Sequence, residues 1–259
     1  MERRTIRLVT ECYPDRPAFD TAISRALLER VGQGAEPETL RLYLPGPILA
    51  FGPQDSASPG FAAAVQAAAE GGFAPIRRLA GGRAAVFHET TFAFSWTLPD
   101  ANPVPGVRPR FALLADIIKR ALVALGIDAR VGEVHGEYCP GEFSVNANGR
   151  TKLMGVGQRM VSRAVHVGGV VVAADSYRIR NILLPVNAAL GIEWDPATVG
   201  SVQDELGVLD CPAVAKAILA EFSARFDLVD GSLSPETLTL AERLEPQFHA
   251  AAPVTRGGP

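Results

Sequence analysis

The stretch from Ile76 to Ser95, IRRLAGGRAAVFHETTFAFS, constrains this chain more than any other. Two adjacent arginines lead into a Gly-Gly step, followed by two short runs of extended character, Ala85 to His88 and Phe92 to Trp96. Successive side chains on an extended segment point to opposite faces, so only one of Arg77 and Arg78 faces a given pocket. Gly81 and Gly82 let the backbone turn and approach a ligand closely. On these residues alone two readings stay open: the mouth of a ligand site, or a surface hairpin with solvated arginines.

A second stretch bears on that choice. From Gly149 the chain reads GRTKLMGVGQRM and then, from Ala164, AVHVGGVVVAAD. The chain has three lysines, Lys119, Lys152 and Lys216, against many arginines, yet Lys152 sits in a glycine-rich turn. An ammonium on a flexible stem reaches a carbonyl or phosphate oxygen in a way the wider guanidinium fork does not. The bland reading is a surface lysine beside a hairpin.

The order Arg-Arg, Gly-Gly, an apolar residue and His, then Gly-Arg, Lys, Gly and Gln-Arg, resembles the biotin/lipoate protein ligase superfamily. The match is to its lipoate ligase and octanoyltransferase branch and spans about Asp20 to Leu206. The resemblance implies catalytic roles for Lys152 and Cys139. It implies acyl- or substrate-binding roles for Arg77, Arg78, Gly81, Gly82, Arg83, His88, Gln54, Gly155, Gln158 and Gly168, with no metal. Ligases of this branch typically carry a third glycine where this chain has Arg83, whereas Gly-Gly-Arg is common in transferases that use a cysteine. Cys139 falls near the place of that nucleophile, in a loop fixed by Pro140 and Gly141. A thiolate there would be favoured by the charge of Lys152, and His135 is close enough in sequence to assist as a base. Asp20 matches an acidic position of the family's first helix, or serves the helix dipole. His166 reads as structural.

Composition narrows the rest. At 259 residues, 47% hydrophobic and 20% charged, the chain can bury a sizeable core. A net charge of -3 without a basic run makes nucleic acid an unsuitable partner. The start, MERRTIRLVTECYPDR, has no apolar targeting core, and no run is long enough to span a bilayer, so a cytoplasmic protein with no membrane partner is expected. Three widely spaced cysteines, Cys12, Cys139 and Cys211, argue against a disulfide framework or a cysteine zinc site. The wealth of Ala, Arg and Gly is that of a GC-rich bacterial genome.

Periodicity predicts helices over Ala18–Val31, Phe61–Ala69, Phe111–Leu125, Ile179–Leu184, Pro212–Phe226 and from Ser234 to about Phe248. Strands are expected at Ile6–Thr10, Phe73–Arg78 and His166–Ala173, with Thr39–Tyr43 and Ile48–Phe51 as a pair around Pro45-Gly46-Pro47. Another pair, Phe143–Asn146 with Leu153–Arg159, turns at Asn148-Gly149. Asp100–Arg110 is a Pro-rich loop, either a lid or an ordered crossover. The expected fold is α/β (α+β): a mixed, largely antiparallel sheet flanked by helices. The catalytic domain would occupy 1–207, a helical extension 208–250 and a disordered tail 251–259.

The function implied is transfer of an octanoyl or lipoyl group to a lysine of a lipoyl carrier domain, through a Cys139 thioester and without a cofactor. Partners would be acyl carrier protein as donor, with 2-oxoacid dehydrogenase E2 or glycine cleavage H protein as acceptors. The alternatives are a lipoate ligase using ATP and Mg, and a non-catalytic family member that binds lipoyl domains.

Overall fold

Phe92, Phe94, Trp96 and Leu98 alternate with Ala93, Ser95 and Thr97 along one strand, so its large apolar side chains share a face. That strand lies inside the main sheet and the rest of the fold is layered on it. The structure, a computed structural model, describes residues 3–250. Its strands are β1 (Thr5–Val9), β2 (Thr39–Tyr43), β3 (Ile48–Phe51), β4 (Ala74–Arg77), β5 (Ala85–Phe87), β6 (Thr91–Pro99), β7 (Ala129–Val131), β8 (Val145–Ala147), β9 (Thr151–Val161), β10 (Ala164–Val172) and β11 (Asp227–Asp230). Its helices are α1 (Phe19–Gly32), α2 (Pro53–Ser56), α3 (Phe61–Glu70), α4 (Val107–Ala124), α5 (Ser176–Leu190), α6 (Val202–Leu206), α7 (Cys211–Ser223) and α8 (Pro235–Leu244).

Among the described residues the strands form an eight-stranded sheet, β11-β1-β2-β6-β10-β9-β8-β7, and a three-stranded one, β4-β3-β5. In the large sheet β1 runs parallel to both β2 and β11, and every other neighbouring pair is antiparallel. This is the mixed, largely antiparallel sheet expected. Phe92, Phe94, Trp96 and Leu98 bury against Leu114 and Ile118 of α4 and Ile218 and Phe222 of α7. No helix among the described residues is long and apolar enough to cross a membrane.

Two expected pairings are corrected. Thr39–Tyr43 and Ile48–Phe51 have the expected bounds, but β2 joins the large sheet and β3 the small one. Pro45-Gly46-Pro47 therefore carries the chain between sheets instead of closing a hairpin. Likewise β5 pairs with β3, while β6 pairs with β2 and β10, so the stretch after the glycines is no surface hairpin. The Asn148-Gly149 hairpin is present, with φ of +52° and +69°, the left-handed pair its twist requires.

Between 208 and 250 the chain carries α7, α8 and β11, a short exposed strand that the sequence reading missed. It pairs with β1 at the edge of the large sheet. Helix α8 packs Leu238 and Ala241 with Phe19 and Ile23 of α1, and Ser234 caps its first turn by accepting from Thr237 N. The tail 251–259, expected to be disordered, lies outside the described residues. Of the expected loop, 100–106 is an ordered crossover while 107–110 open α4: Arg110, almost wholly buried, donates to Asp100 Oδ2 at 2.6 Å, to the Pro103 carbonyl and to Gln158 Oε1 at 2.6 Å.

Asp20 is a tie between layers. Its carboxylate accepts from Arg41 Nη2, and from the Tyr13 amide at 2.9 Å, while Arg41 also donates to the Asp20 and Glu11 carbonyls. Arg41 on β2 is fully buried, and the carboxylate that α1 presents offsets the cost of burying its permanent charge. Asp20→Ala should therefore destabilise the chain by about 3–5 kcal/mol in urea denaturation, as for other broken buried pairs. A loss below about 1 kcal/mol, the range of surface pairs, would show that the tie is not structural.

Candidate active site

Two loops and two strands meet at one slot. The turn at Asn148-Gly149 sends β9 back along β8 with Lys152 near its start, and the register of the two strands shifts at Val145/Asn146. Lys152 is thereby turned inward, its side chain only 4% exposed. The loop between β7 and β8 folds over it and brings Glu137, Tyr138 and Cys139 to the amine. Lys152 Nζ donates to Glu137 Oε1 at 2.9 Å and to the Cys139 carbonyl, and lies 5.3 Å from the centre of the Tyr138 ring. Glu137, with no side-chain exposure, also accepts from Ser144 Oγ at 2.8 Å and from the Val134 amide at 3.1 Å. Burial pushes the Tyr138 phenol well above its ordinary range, so it stays neutral beside the pair.

The opposite lip is the glycine loop. Gly157 on β9 has no side chain, and a Cβ there would stand 3.0 Å from the Gly81 amide, so the loop can rest directly on the strand. Gly81 itself holds φ +99°. Arg78 closes the loop from inside by donating to the Arg83 carbonyl at 2.7 Å. Between the lips lies a cavity of about 220 Å³ lined by Arg78, Gly81, Gly82, Cys139, Lys152 and Gly155, with Val156, Gly169 and Val170 beside them. Phe111 and Phe143, stacked with ring centres 5.4 Å apart, close one side, and Arg108 at the start of α4 holds Glu142 of the cysteine loop at 2.8 Å.

The residues picked from the sequence divide accordingly. Lys152, Cys139, Arg78, Gly81, Gly82 and Gly155 share the slot. Arg77 points the other way, as strand alternation requires, to Ser56 Oγ at 3.1 Å and the Ala250 carbonyl at 3.2 Å. Arg83 pairs with buried Asp55 at 3.4 Å, and Gln54 lies behind the loop, its backbone amide donating to the Gly82 carbonyl. Both brace the glycine loop from outside the slot. Gln158 is taken by Arg110. Gly168 lines a second cavity of about 70 Å³ with His166 and Ser95, joined to the first through shared Arg78 and Gly169. His135 is exposed and does not line the slot. The expectation that Lys152 offers its charge to the thiol is also corrected: the amine lies on the Cys139 carbonyl and its charge is balanced by Glu137.

His88 is not at the slot. Fully buried past the end of β5, its Nδ1 meets Thr90 Oγ1 at 3.1 Å, and Thr90 in turn donates to Asp175 at 3.0 Å, so it fixes the β5–β6 turn. Glu137, Tyr138 and Ser144 were missed from the sequence. The available signal was the need of a buried lysine for a carboxylate, with Glu137 the acid nearest Cys139 in GEYCP.

Among the described residues no group of three or more His, Cys, Asp or Glu side chains could hold a metal ion. The chain matches the lipoyl protein ligase A/B catalytic domain over residues 16–223 and belongs to that family. It is 31% identical over 155 residues to octanoyl-GcvH:protein N-octanoyltransferase of Anoxybacillus flavithermus, covering 58% of this chain and 55% of the relative. It is 28% identical over 155 residues, with the same coverage, to lipoyl-GcvH:protein N-lipoyltransferase of Listeria monocytogenes. The chain thus spans about half the length of the curated relatives it matches. Its fold is that of a lipoate-protein ligase A solved with ATP, at TM-score 0.72 and 19% identity over 92% of this chain and 93% of the other. It is equally that of a bi-partite lipoate protein ligase from Thermoplasma acidophilum, at TM-score 0.73 and 19% identity over 100% and 99%.

Two buried histidines set an acid limit. Burial, helped by nearby Arg178, lowers His88 from 6.5 to about 4. Burial, helped by Arg41 and Arg78, lowers His166 to about 3. Below pH about 6.5 the unfolded chain binds protons that the folded chain refuses, so stability falls as pH drops from about 6.5 toward 4. The urea midpoint should fall over that window, and a His88→Asn, His166→Gln double variant should flatten the slope. An unchanged slope in the double variant would contradict this assignment.

Proposed function

We propose that this chain carries an octanoyl or lipoyl group from one protein carrier to a lysine of a lipoyl carrier domain, holding it in transit as a thioester on Cys139. The observation that carries the reading is that one slot is lined at once by Cys139, the buried Lys152, a bare glycine loop and apolar strand residues. The names of the relatives give an octanoylated or lipoylated GcvH protein as donor for those enzymes. A carrier of that kind is the donor proposed here, with acyl carrier protein as the competing donor and E2 or H-protein lipoyl domains as acceptors. The cytoplasm, where free thiols persist, suits a catalytic cysteine.

In the first step the Cys139 thiolate attacks the acyl carbonyl carbon, a C–S bond forms, and the bond to the donor's nitrogen or sulfur breaks as that atom takes up a proton. In the second, the acceptor lysine amine attacks the thioester carbon, the C–N bond forms, and sulfur leaves as thiolate while the amine loses its proton. Lys152 would face the oxygen of each tetrahedral intermediate, a contribution of roughly 3 kcal/mol for one oriented donor. Each methylene of the chain buried in the slot adds about 0.8 kcal/mol of binding. A slot of about 220 Å³ lined by apolar strand residues has room for a single acyl chain.

Incubated with octanoylated H-type carrier protein or octanoyl acyl carrier protein, the chain should gain the mass of one octanoyl group, located at Cys139. Cys139→Ser should abolish both adduct and transfer, and Lys152→Met should slow transfer about a hundredfold. Two results would overturn the reading: ATP-driven lipoylation that survives Cys139→Ser, as in a ligase, or no adduct and no turnover with either donor, as in a non-catalytic binding protein.

A further inference from the structure

A protein that delivers acyl groups to lysines, and keeps a lysine inside its own acyl slot, must prevent that lysine from taking the group. Lys152 is placed for such a capture. Its Nζ lies on the backbone carbonyl of Cys139, and only Cα and Cβ separate that carbonyl carbon from the sulfur. A thioester on Cys139 therefore stands beside an amine that would form a more stable amide. What stops the reaction is protonation, because an ammonium has no lone pair.

Glu137 is built to maintain that state. Its side chain is wholly buried, and the Lys152 side chain is only 4% exposed, so neither charge is screened by water. Oε1 accepts from Lys152 and from Ser144 Oγ, and Oε2 accepts from the Val134 amide, so the carboxylate is fixed at both oxygens. Nζ has three protons and two protein acceptors, Glu137 and the Cys139 carbonyl. The third proton is left for an acyl oxygen in the slot.

We infer that Glu137 is a positioning residue that holds Lys152 as an ammonium, aimed into the slot and barred from capturing the acyl group, an inference that rests on the Cys139 thioester reading. A buried ammonium deprived of its counter-ion is driven to shed its proton. In that state Nζ attacks the thioester carbon, a C–N bond forms and the C–S bond breaks. Sulfur leaves as thiolate and takes up the proton released from nitrogen. The product is an octanoyl amide on Lys152 beside a free Cys139 thiol, and that molecule transfers no further groups.

The test compares the native chain, Glu137→Gln and the double variant Glu137→Gln, Lys152→Arg. Each is loaded from octanoyl acyl carrier protein or the octanoyl thioester of N-acetylcysteamine. Intact mass is read before and after neutral hydroxylamine, which cleaves thioesters and spares amides. The native adduct should vanish completely. Glu137→Gln should retain one octanoyl group, mapped to Lys152, and its transfer should stop after an initial burst, while the double variant should retain none. Ser144→Ala, which loosens the carboxylate without removing it, supplies a second variant should Glu137→Gln fail to fold. It should retain a smaller resistant fraction that grows with pH. A fully labile adduct in whichever of Glu137→Gln and Ser144→Ala is folded overturns the inference while the thioester reading stands. Absence of any labile adduct on native Cys139 instead removes the reading on which it rests.

Discussion

A lysine ammonium closed off from water is tolerable only beside a carboxylate whose own remaining acceptors are satisfied, and the Lys152–Glu137 pair meets that condition. Much of the site's shape follows. Glu137, Cys139 and Ser144 belong to the single loop between β7 and β8. The hydrogen bonds that complete the carboxylate therefore also fold that loop over the start of β9. Cys139 borders the slot because the acid two residues before it is anchored to the amine. A charge pair inside the slot thus also supplies local structure.

The second lip is held by different means. The glycine loop carries little packing of its own and rests on β9 through the bare backbone at Gly157. Support comes from Asp55, whose Oδ2 accepts from the Gly52 amide while Oδ1 meets Arg83. Arg78 ties the loop back on itself from the slot side. Two adjacent arginines thereby take separate tasks, Arg78 on the slot and Arg77 on the far side with Ser56 and the end of the described chain. The smaller cavity beyond Gly168 and Gly169 borders the slot through the shared residues Arg78 and Gly169.

Much of this was legible in the sequence wherever the determinant is local. Period-3.6 stripes gave α1, α3, α4 and α7 to within a few residues, except that α4 begins four residues earlier than its stripe, because the first turn is filled by Val107, Arg108, Pro109 and Arg110. Asn148-Gly149 announced its hairpin because φ above zero is a property of those residues. Beyond that hairpin, which strands pair was not legible: β2 and β3 are neighbours in sequence yet belong to different sheets, a choice made by long-range packing. Strand β11 escaped because Asp-Leu-Val-Asp is short, exposed and polar at both ends. At the site, Lys152, Cys139 and the glycines were found by their types and order. Glu137 was not, because its role depends on a loop doubling back across 15 residues. Gln54 and Arg83 were placed in the slot, whereas they brace its wall, a distinction that spacing along the chain does not encode.

The claim that ties these parts together is that one acyl chain lies between the glycine loop and the Gly-rich strands with its carbonyl held between Cys139 and Lys152. A crystal structure of the chain loaded with an octanoyl group reads this most directly. The account predicts a thioester on Cys139 Sγ, its oxygen within hydrogen-bond reach of Lys152 Nζ, and the methylenes running along Gly155, Val156 and Val170. An acyl group attached elsewhere, or a chain lying outside the slot with its carbonyl out of reach of Lys152, would contradict it.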